Sequence, residues 1–324
     1  MRAIVVDRLM EPRDLRVAEA PEPELFAGGL AVDVKAAGCN FFDILMAQGR
    51  YQVKPPLPFV PGAELAGVVS AVGSQADGFR IGDRVLASVS LGAFAERAVV
   101  AARSAWRMPD DMSFEEGAAF PIVYPTSWAA LVLRAQLRAG ERLLVHAAAG
   151  GVGLAAVQIG KALGARVLAT AGGEAKLAIA REAGADVCID YRAPDWPERV
   201  KAATDGRGAD VIYDSVGGDV LDHSLKCIAW SGRLLVIGFA GGRIPEIKAN
   251  RILLKNIAVI GLHWGAYALN EPERVPQVFE ALFRMFEAGA IRPVIWKRFR
   301  LEHVADALEA LGSRQTYGKI VIVP

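Results

Sequence analysis

The chain is poor in several things a protein of 324 residues can carry. Its three cysteines, Cys39, Cys188 and Cys227, are odd in number and scattered, which argues against a disulfide framework and fits a reducing compartment. Its four histidines, His146, His223, His263 and His303, show no ligand spacing with one another or with the cysteines, so spacing alone indicates no zinc site. Charge nearly cancels to a formal net value of +1, which gives no electrostatic reason to expect a nucleic-acid or membrane partner. No apolar run reaches the ~18 residues a bilayer span needs. Met1 leads directly into "RAIVV" without the apolar region of a signal peptide, so the expectation is a soluble, cytoplasmic chain.

What remains is ample for large cores: 53% of the residues are hydrophobic, and the length suggests two domains at ~100–200 residues each. The first 120 or so residues hold short β-like runs broken by Gly and Pro, among them "LAVDVKAAG", "AGVVSAVG" and "DRVLASV". Their alternation and β-branched content suit an antiparallel or barrel-like β domain. Texture changes near Asp111, where Ser113 and Glu116 have capping-box spacing ahead of a helical pattern. From Glu141 strands alternate with helices. The strands read are Leu143–His146, Arg166–Ala169, Val187–Asp190, Asp210–Asp214, Arg233–Ile237 and Ile257–Gly261. Six such runs separated largely by helices predict an α/β fold with a doubly wound parallel sheet. A long amphipathic helix in "PERVPQVFEALFRMFEAG", a second in "HVADALEALGS" and a terminal strand in "GKIVIVP" follow. These last pieces go with the β-rich first third, so the predicted division is 1–122 with 265–324 around an inserted 123–264.

In "HAAAGGVGLAAVQIG" a glycine turn lies between a strand and a helix, in the pattern Ala148-x-Gly150-x-x-Gly153. Gly150 lets the backbone approach a pyrophosphate and Gly153 lets helix and strand pack closely. The helix start, Gly151 and Val152, supplies free N–H donors and a positive dipole end. A site for NAD usually carries an acid at the end of the second strand to accept the ribose hydroxyls. Here that stretch is "LATAGGEAK", with Gly172 and Gly173 at the bend and Lys176 beyond. A carboxylate there would repel a 2′-phosphate, and its absence leaves room for one. Tyr191 and Arg192 end the next strand, where side chains also face the adenosine ribose. The predicted cofactor is therefore NADPH.

With these features the chain resembles the medium-chain dehydrogenase/reductase superfamily, and within it the zinc-free NADPH:quinone oxidoreductase, or zeta-crystallin-like, group. The resemblance runs the whole length, through "AAGCNFFD", "PFVPGAELAGVVSAVG", "GDRV", "GAFAE", "VHAAAGGVGLAAVQIGKALGA", "YDSVGG", "GRLLVIGFAGG" and "YGKIVI". It implies a GroES-like β-rich catalytic domain holding a Rossmann domain. Zinc-dependent members carry a cysteine ligand where this chain has Asn40, and Gly-His-Glu where it has Gly62-Ala63-Glu64. The four-cysteine zinc lobe between "GDRV" and "GAFAE" is missing too, so the chain is expected to be metal-free. Without a Lewis acid it would not readily polarise an alcohol or ketone. A quinone or conjugated enone accepts hydride more easily and asks mainly for positioning and hydrogen bonds to the developing oxyanion.

By the resemblance, Asn40 lies near the nicotinamide and donates from its amide, Tyr51 in "QGRY" lines the acceptor pocket or donates its hydroxyl, and Asp43 acts directly or orients the Asn40 loop. Thr126 and Lys319 match residues near the cofactor. Ser215 and Val216 follow the fourth strand, Gly238, Phe239 and Ala240 the fifth, and the backbone of "GLHWG", with His263 and Trp264, the sixth; all are candidates to hold NADPH. The implied reaction is quinone reduction, with an enone or enoyl-thioester reductase as the alternative and a cofactor-binding protein of low turnover as a third reading. The lack of a basic aromatic patch disfavours RNA binding. "NIAVIGL" would leave an apolar sheet edge exposed, and in the resembling family such edges pair, so a homodimer is expected.

Overall fold

The computed structural model describes all 324 residues. Fifteen strands occur along the chain. Seven precede the inserted region: β1 (Arg2–Ile4), β2 (Val17–Glu19), β3 (Gly29–Gly38), β4 (Glu64–Val72), β5 (Arg84–Ser88), β6 (Arg97–Ala101) and β7 (Ala105–Arg107). Six lie within it: β8 (Arg142–Val145), β9 (Arg166–Ala171), β10 (Val187–Asp190), β11 (Ala209–Asp214), β12 (Ile228–Val236) and β13 (Ala258–Gly261). Two close the chain, β14 (Ile295–Arg300) and β15 (Lys319–Val323). The helices that matter below are α1 (Phe41–Ala47), α2 (Val123–Trp128), α3 (Gly151–Ala162), α4 (Gly218–Cys227), α5 (Ala249–Lys255) and α6 (Arg274–Glu287).

Two compact units form, one from Met1–Ile122 with Pro293–Pro324 and one from Val123–Arg292. The first is built on a sheet ordered β14-β15-β3-β4-β5-β7, with β6 also paired to β3. Its pairings are antiparallel apart from β14 with β15. Leu30, Val32, Leu65, Val69, Val85, Phe94, Leu301 and Ile322 fill its core. The pairing of β15 against β3, Val321 opposite Gly38, carries the chain end back to the loop after β3, and Cys39 donates its backbone N–H to Ile320 at 3.0 Å. β14 was not anticipated, because "IWKRFR" presents Lys297, Arg298 and Arg300 to solvent. That is the charge pattern with which a sheet edge is protected, and it hides the apolar signal of a strand.

The second unit is the parallel sheet read from the sequence, with strand order β10-β9-β8-β11-β12-β13 and every pairing parallel. The order reverses between β8 and β11, the crevice where doubly wound sheets bind ligands. The sequence division at residue 265 is corrected here: residues 265–292 belong to the second unit. The cause is α6, whose Val278, Phe279, Leu282 and Phe286 are buried along one stripe. At ~1.5–3 kcal/mol for each large side chain, burying that stripe stabilises the segment within the second unit. No helix is long and apolar enough to cross a membrane.

Candidate active site and dinucleotide-binding turn

In the first unit, β3 ends in the buried stretch Ala36–Gly38, and at Gly38 a Cβ would lie 2.5 Å from Glu64 Oε1. Only glycine lets the strand approach that carboxylate. The chain then turns at Asn40, which caps α1: its backbone N–H donates to Asp43 Oδ2 at 2.7 Å. Glu64, the first residue of β4, is fully buried, as is Asp43. A buried carboxylate needs compensation, and Lys319 at the start of β15 supplies it. Its ammonium donates to Glu64 Oε1 at 2.7 Å, to Asn40 Oδ1 at 2.8 Å and to the Cys39 carbonyl at 2.6 Å. The Asn40 amide nitrogen in turn donates to Glu64 Oε1 at 2.8 Å, and Glu64 Oε2 accepts from the Ile122 N–H at 3.0 Å.

This arrangement fixes which end of the Asn40 amide is which. The oxygen must face the ammonium and the nitrogen the carboxylate, so the orientation follows from the partners. One amide hydrogen goes to Glu64. The other has only the Gly38 carbonyl at 3.5 Å, a weak contact. Lys319, which the resemblance sets near the cofactor, has all three of its hydrogens committed to the Cys39 carbonyl, Asn40 and Glu64, and so holds Asn40. Asp43 is the group that orients the Asn40 loop. Its Oδ1 is buried without a partner, and burial, outweighing its hydrogen bonds from the Asn40 and Gly62 backbone, raises its pKa to about 7. Tyr51 is half-buried, stacks on Phe42 with ring centroids 5.5 Å apart, and has its phenol pKa raised by burial and by Asp43. The hydroxyl therefore keeps its proton at neutral pH.

A zinc ion does not fit these residues. Ala63 offers no donor atom, both Glu64 oxygens are taken, and an ammonium already sits against that carboxylate. No three His, Cys, Asp or Glu side chains gather into a metal-holding group.

In the second unit, β8 ends at the glycine turn. The left-handed backbone falls on Ala147, at φ 48°, whereas Gly150 has an ordinary φ of −80°. Gly150 is thus not required by its φ; a Cβ there would lie 3.2 Å from the Ala147 carbonyl oxygen. At Gly153 a Cβ would drive into the Ala147 carbonyl oxygen, which is why helix and turn can close only over glycine. The turn is pinned from several sides. Ala148 donates to the Thr170 carbonyl at 3.0 Å. Ser127 on α2 donates to the Val152 carbonyl at 2.9 Å, and its hydroxyl lies 3.0 Å from that of Tyr213. Beneath it, His146 is buried between the Thr170 and Ser224 hydroxyls, each at 2.8 Å. Ser224 gives its own hydrogen to the Val220 carbonyl, so the imidazole proton is on Nε2 and Nδ1 accepts from Thr170. Burial lowers the His146 pKa and keeps the ring neutral. These supports were not legible in the sequence, where a histidine ending an apolar strand has many explanations.

At the bend after β9, a Cβ on Gly172 would lie 3.0 Å from the Tyr191 hydroxyl and one on Gly173, whose φ is 88°, 3.1 Å from Arg192 Nη2. Tyr191 and Arg192 therefore close over this bend, and Lys176 follows on the next helix. One residue was overlooked. Asp190, at the end of β10, accepts the Gly173 N–H at 3.2 Å and holds Arg192 through contacts of 2.6–3.1 Å. Arg192 holds its carboxyl down at about 2. A carboxylate does reach this corner, from the neighbouring strand, and the arginine cancels it.

The loops after β11 and β12 lean together: Ala240 donates to the Ser215 carbonyl at 3.1 Å and Gly241 to that of Val216 at 2.8 Å. This gathers Ser215, Val216, Gly238, Phe239 and Ala240. Thr126 lies half-buried on α2. After β13, His263 is exposed and Trp264 stacks on Tyr267 at 5.3 Å; Arg134 Nε donates to the Gly261 carbonyl at 3.3 Å. The first-turn N–H groups of α3, on Gly151, Val152 and Gly153, have no partners within the helix, and the bend beside them is a cradle that any Cβ would fill. These residues fit a phosphorylated dinucleotide.

The family described as alcohol dehydrogenase GroES-like domain matches residues 27–110, and that described as zinc-binding dehydrogenase matches residues 151–284. A quinone oxidoreductase-like protein 2 homolog of Nematostella vectensis is 40% identical, over 99% of this chain and 88% of that protein. A quinone oxidoreductase of Pseudomonas aeruginosa is 38% identical, over 98% of this chain and 96% of that one. Among solved structures, a quinone oxidoreductase of Escherichia coli complexed with NADPH superposes with a TM-score of 0.92 at 32% identity, covering all of both chains.

Proposed function

Because the chain belongs to the medium-chain dehydrogenase/reductase superfamily, in its quinone oxidoreductase-like group, we propose that it is an NADPH:quinone oxidoreductase that works without a metal. The observation that carries the reading is the Asn40 amide, locked by Lys319 and Glu64 with one N–H left over. The second unit binds NADPH, its pyrophosphate on Gly150–Gly153 and the 2′-phosphate near Lys176 and Arg192. Bound NADPH supplies a hydride. Asn40 donates its spare N–H to the acceptor oxygen on which negative charge develops, a contact worth most when the donor needs no reorganisation. Reduction of a quinone to a hydroquinone consumes one hydride and one proton. Tyr51, protonated at neutral pH, gives that proton and recovers it from water.

Proposed with this are two further properties. A homodimer would cover the β13 edge, where Val259 is exposed, and the nearby apolar surface of Leu253 and Leu254 on α5. A cytoplasmic location accords with three free thiols. Stopped-flow oxidation of NADPH against 1,2- and 1,4-quinones, enones and enoyl-CoA esters tests the function. Turnover with quinones is expected; turnover with thioesters alone, or none despite tight NADPH binding, overturns it.

A further inference from the structure

The chain passes between its two units twice, after Ile122 and after Arg292. Inside the second unit both passages are tied to one side chain. The Tyr124 hydroxyl, two residues past the first passage, donates to Gln158 Oε1 at 2.7 Å. Arg292, the last residue before the second, donates its backbone N–H to the same oxygen at 3.0 Å and accepts from Gln158 Nε2 at 2.9 Å. The glutamine amide thus pairs with the Arg292 backbone as a neighbouring strand would, satisfying donor and acceptor together. Tyr124 is buried, so its hydroxyl does not exchange this acceptor for bulk water. The Arg292 guanidinium lies over the Phe286 ring of α6, 4.8 Å from its centroid.

Gln158 belongs to α3, the helix whose first turn carries the glycine motif. Gln158 lies seven positions after Gly151, about two helical turns at ~1.5 Å per residue. One rigid rod therefore carries an anion-binding end and, two turns on, the fastening of both chain exits. We infer that Gln158 is a positioning residue that couples dinucleotide binding on α3 to the two points where the chain leaves this unit. The inference rests on the cofactor reading above. That reading places the pyrophosphate on the first turn of α3, so its geometry depends on how that helix is held within the second unit, and an error of about 1 Å in placement can cost on the order of a hundredfold in rate.

Gln158→Met keeps length and helix compatibility and removes all three hydrogen bonds. Hydrogen exchange resolved to the Arg292 amide, with and without NADPH, is measured beside kcat, KM and NADPH affinity. In the unliganded variant the Arg292 amide is expected to exchange about tenfold faster or more. NADPH is expected to slow it in the wild type and not in the variant, NADPH affinity to fall in the variant by the factor by which NADPH slows the wild-type exchange, and kcat to fall about tenfold. Tyr124→Phe leaves the Arg292 pairing intact and is expected to keep that amide slow, which serves also if Gln158→Met does not fold. Unchanged Arg292 exchange in Gln158→Met, rapid Arg292 exchange in Tyr124→Phe, or fast exchange with undiminished kcat overturns the inference. Failure of NADPH to bind the wild type overturns the cofactor reading instead, while exchange in the unliganded protein still tests the fastening itself.

Discussion

Replacing Lys319 by methionine removes the only cation that touches the buried Glu64–Asn40 pair. Lys319 is 5% exposed and Glu64 0%, so water does not solvate the carboxylate left behind. Breaking a buried ion pair from one side costs ~3–5 kcal/mol. Asn40 Oδ1 and the Cys39 carbonyl also lose their ammonium donor, and a buried acceptor without a partner costs ~1–3 kcal/mol. Part of this is recovered if Glu64 takes up a proton, so a loss of about 3–5 kcal/mol is the expectation at pH 7. Chemical denaturation of a chain with two units is not two-state, so the measurement is native-state hydrogen exchange of the β3 and β15 amides, which reports the first unit. Glu64→Gln in the same chain is expected to restore about half of the loss, because the remaining defect is then neutral. The double variant is expected to stay slow in quinone turnover, since the Asn40 amide is no longer held in one orientation. A loss below about 1 kcal/mol in Lys319→Met, the range of an exposed pair, or no recovery on adding Glu64→Gln, refutes the argument that this charge is buried and compensated by one residue.

Asp43→Asn tests the raised pKa. With its pKa raised from 3.8 to about 7 in the fold, Asp43 binds a proton more tightly folded than unfolded. Stability it contributes is therefore complete below pH ~4 and is lost as pH rises to ~7, by at most about 4 kcal/mol; native-state hydrogen exchange of the β3 amides, which reports the first unit, should show this slope in the wild type and a flatter one in the variant. Gly153→Ala sets a methyl against the Ala147 carbonyl oxygen and should cost ~1–3 kcal/mol as overpacking while weakening NADPH binding in a fluorescence titration; wild-type affinity would show that the turn is not where the cofactor sits. Lys176→Ala and Arg192→Ala should each raise the KM for NADPH by about tenfold, or ~1.4 kcal/mol, with little effect on NADH; Arg192→Ala should also return the Asp190 carboxyl towards its ordinary pKa, visible in its NMR titration. Light scattering at micromolar concentration should give twice the chain mass, and a monomer would remove the β13 interface.

Periodicity and glycine placement determined much of this protein. The alternation of short apolar runs with helices dictated a parallel doubly wound sheet, since only burial on both faces makes such runs stable. The glycine turn, opening a helix directly after a strand, determined where an anion can bind. Both are local patterns, legible because the physical cause lies within a few consecutive residues. Tertiary structure alone decided what depends on distant partners. Lys319 and Glu64 lie 255 positions apart, and β15 pairing with β3 is what makes that lysine the brace of Asn40. Asp190 reaches the bend of the neighbouring strand because β10 lies beside β9, so a corner that reads as lacking an acid holds one, neutralised by Arg192. The long amphipathic helix α6 shows an apolar stripe in its sequence, but a stripe does not say which core it fills; only the fold assigned it to the second unit.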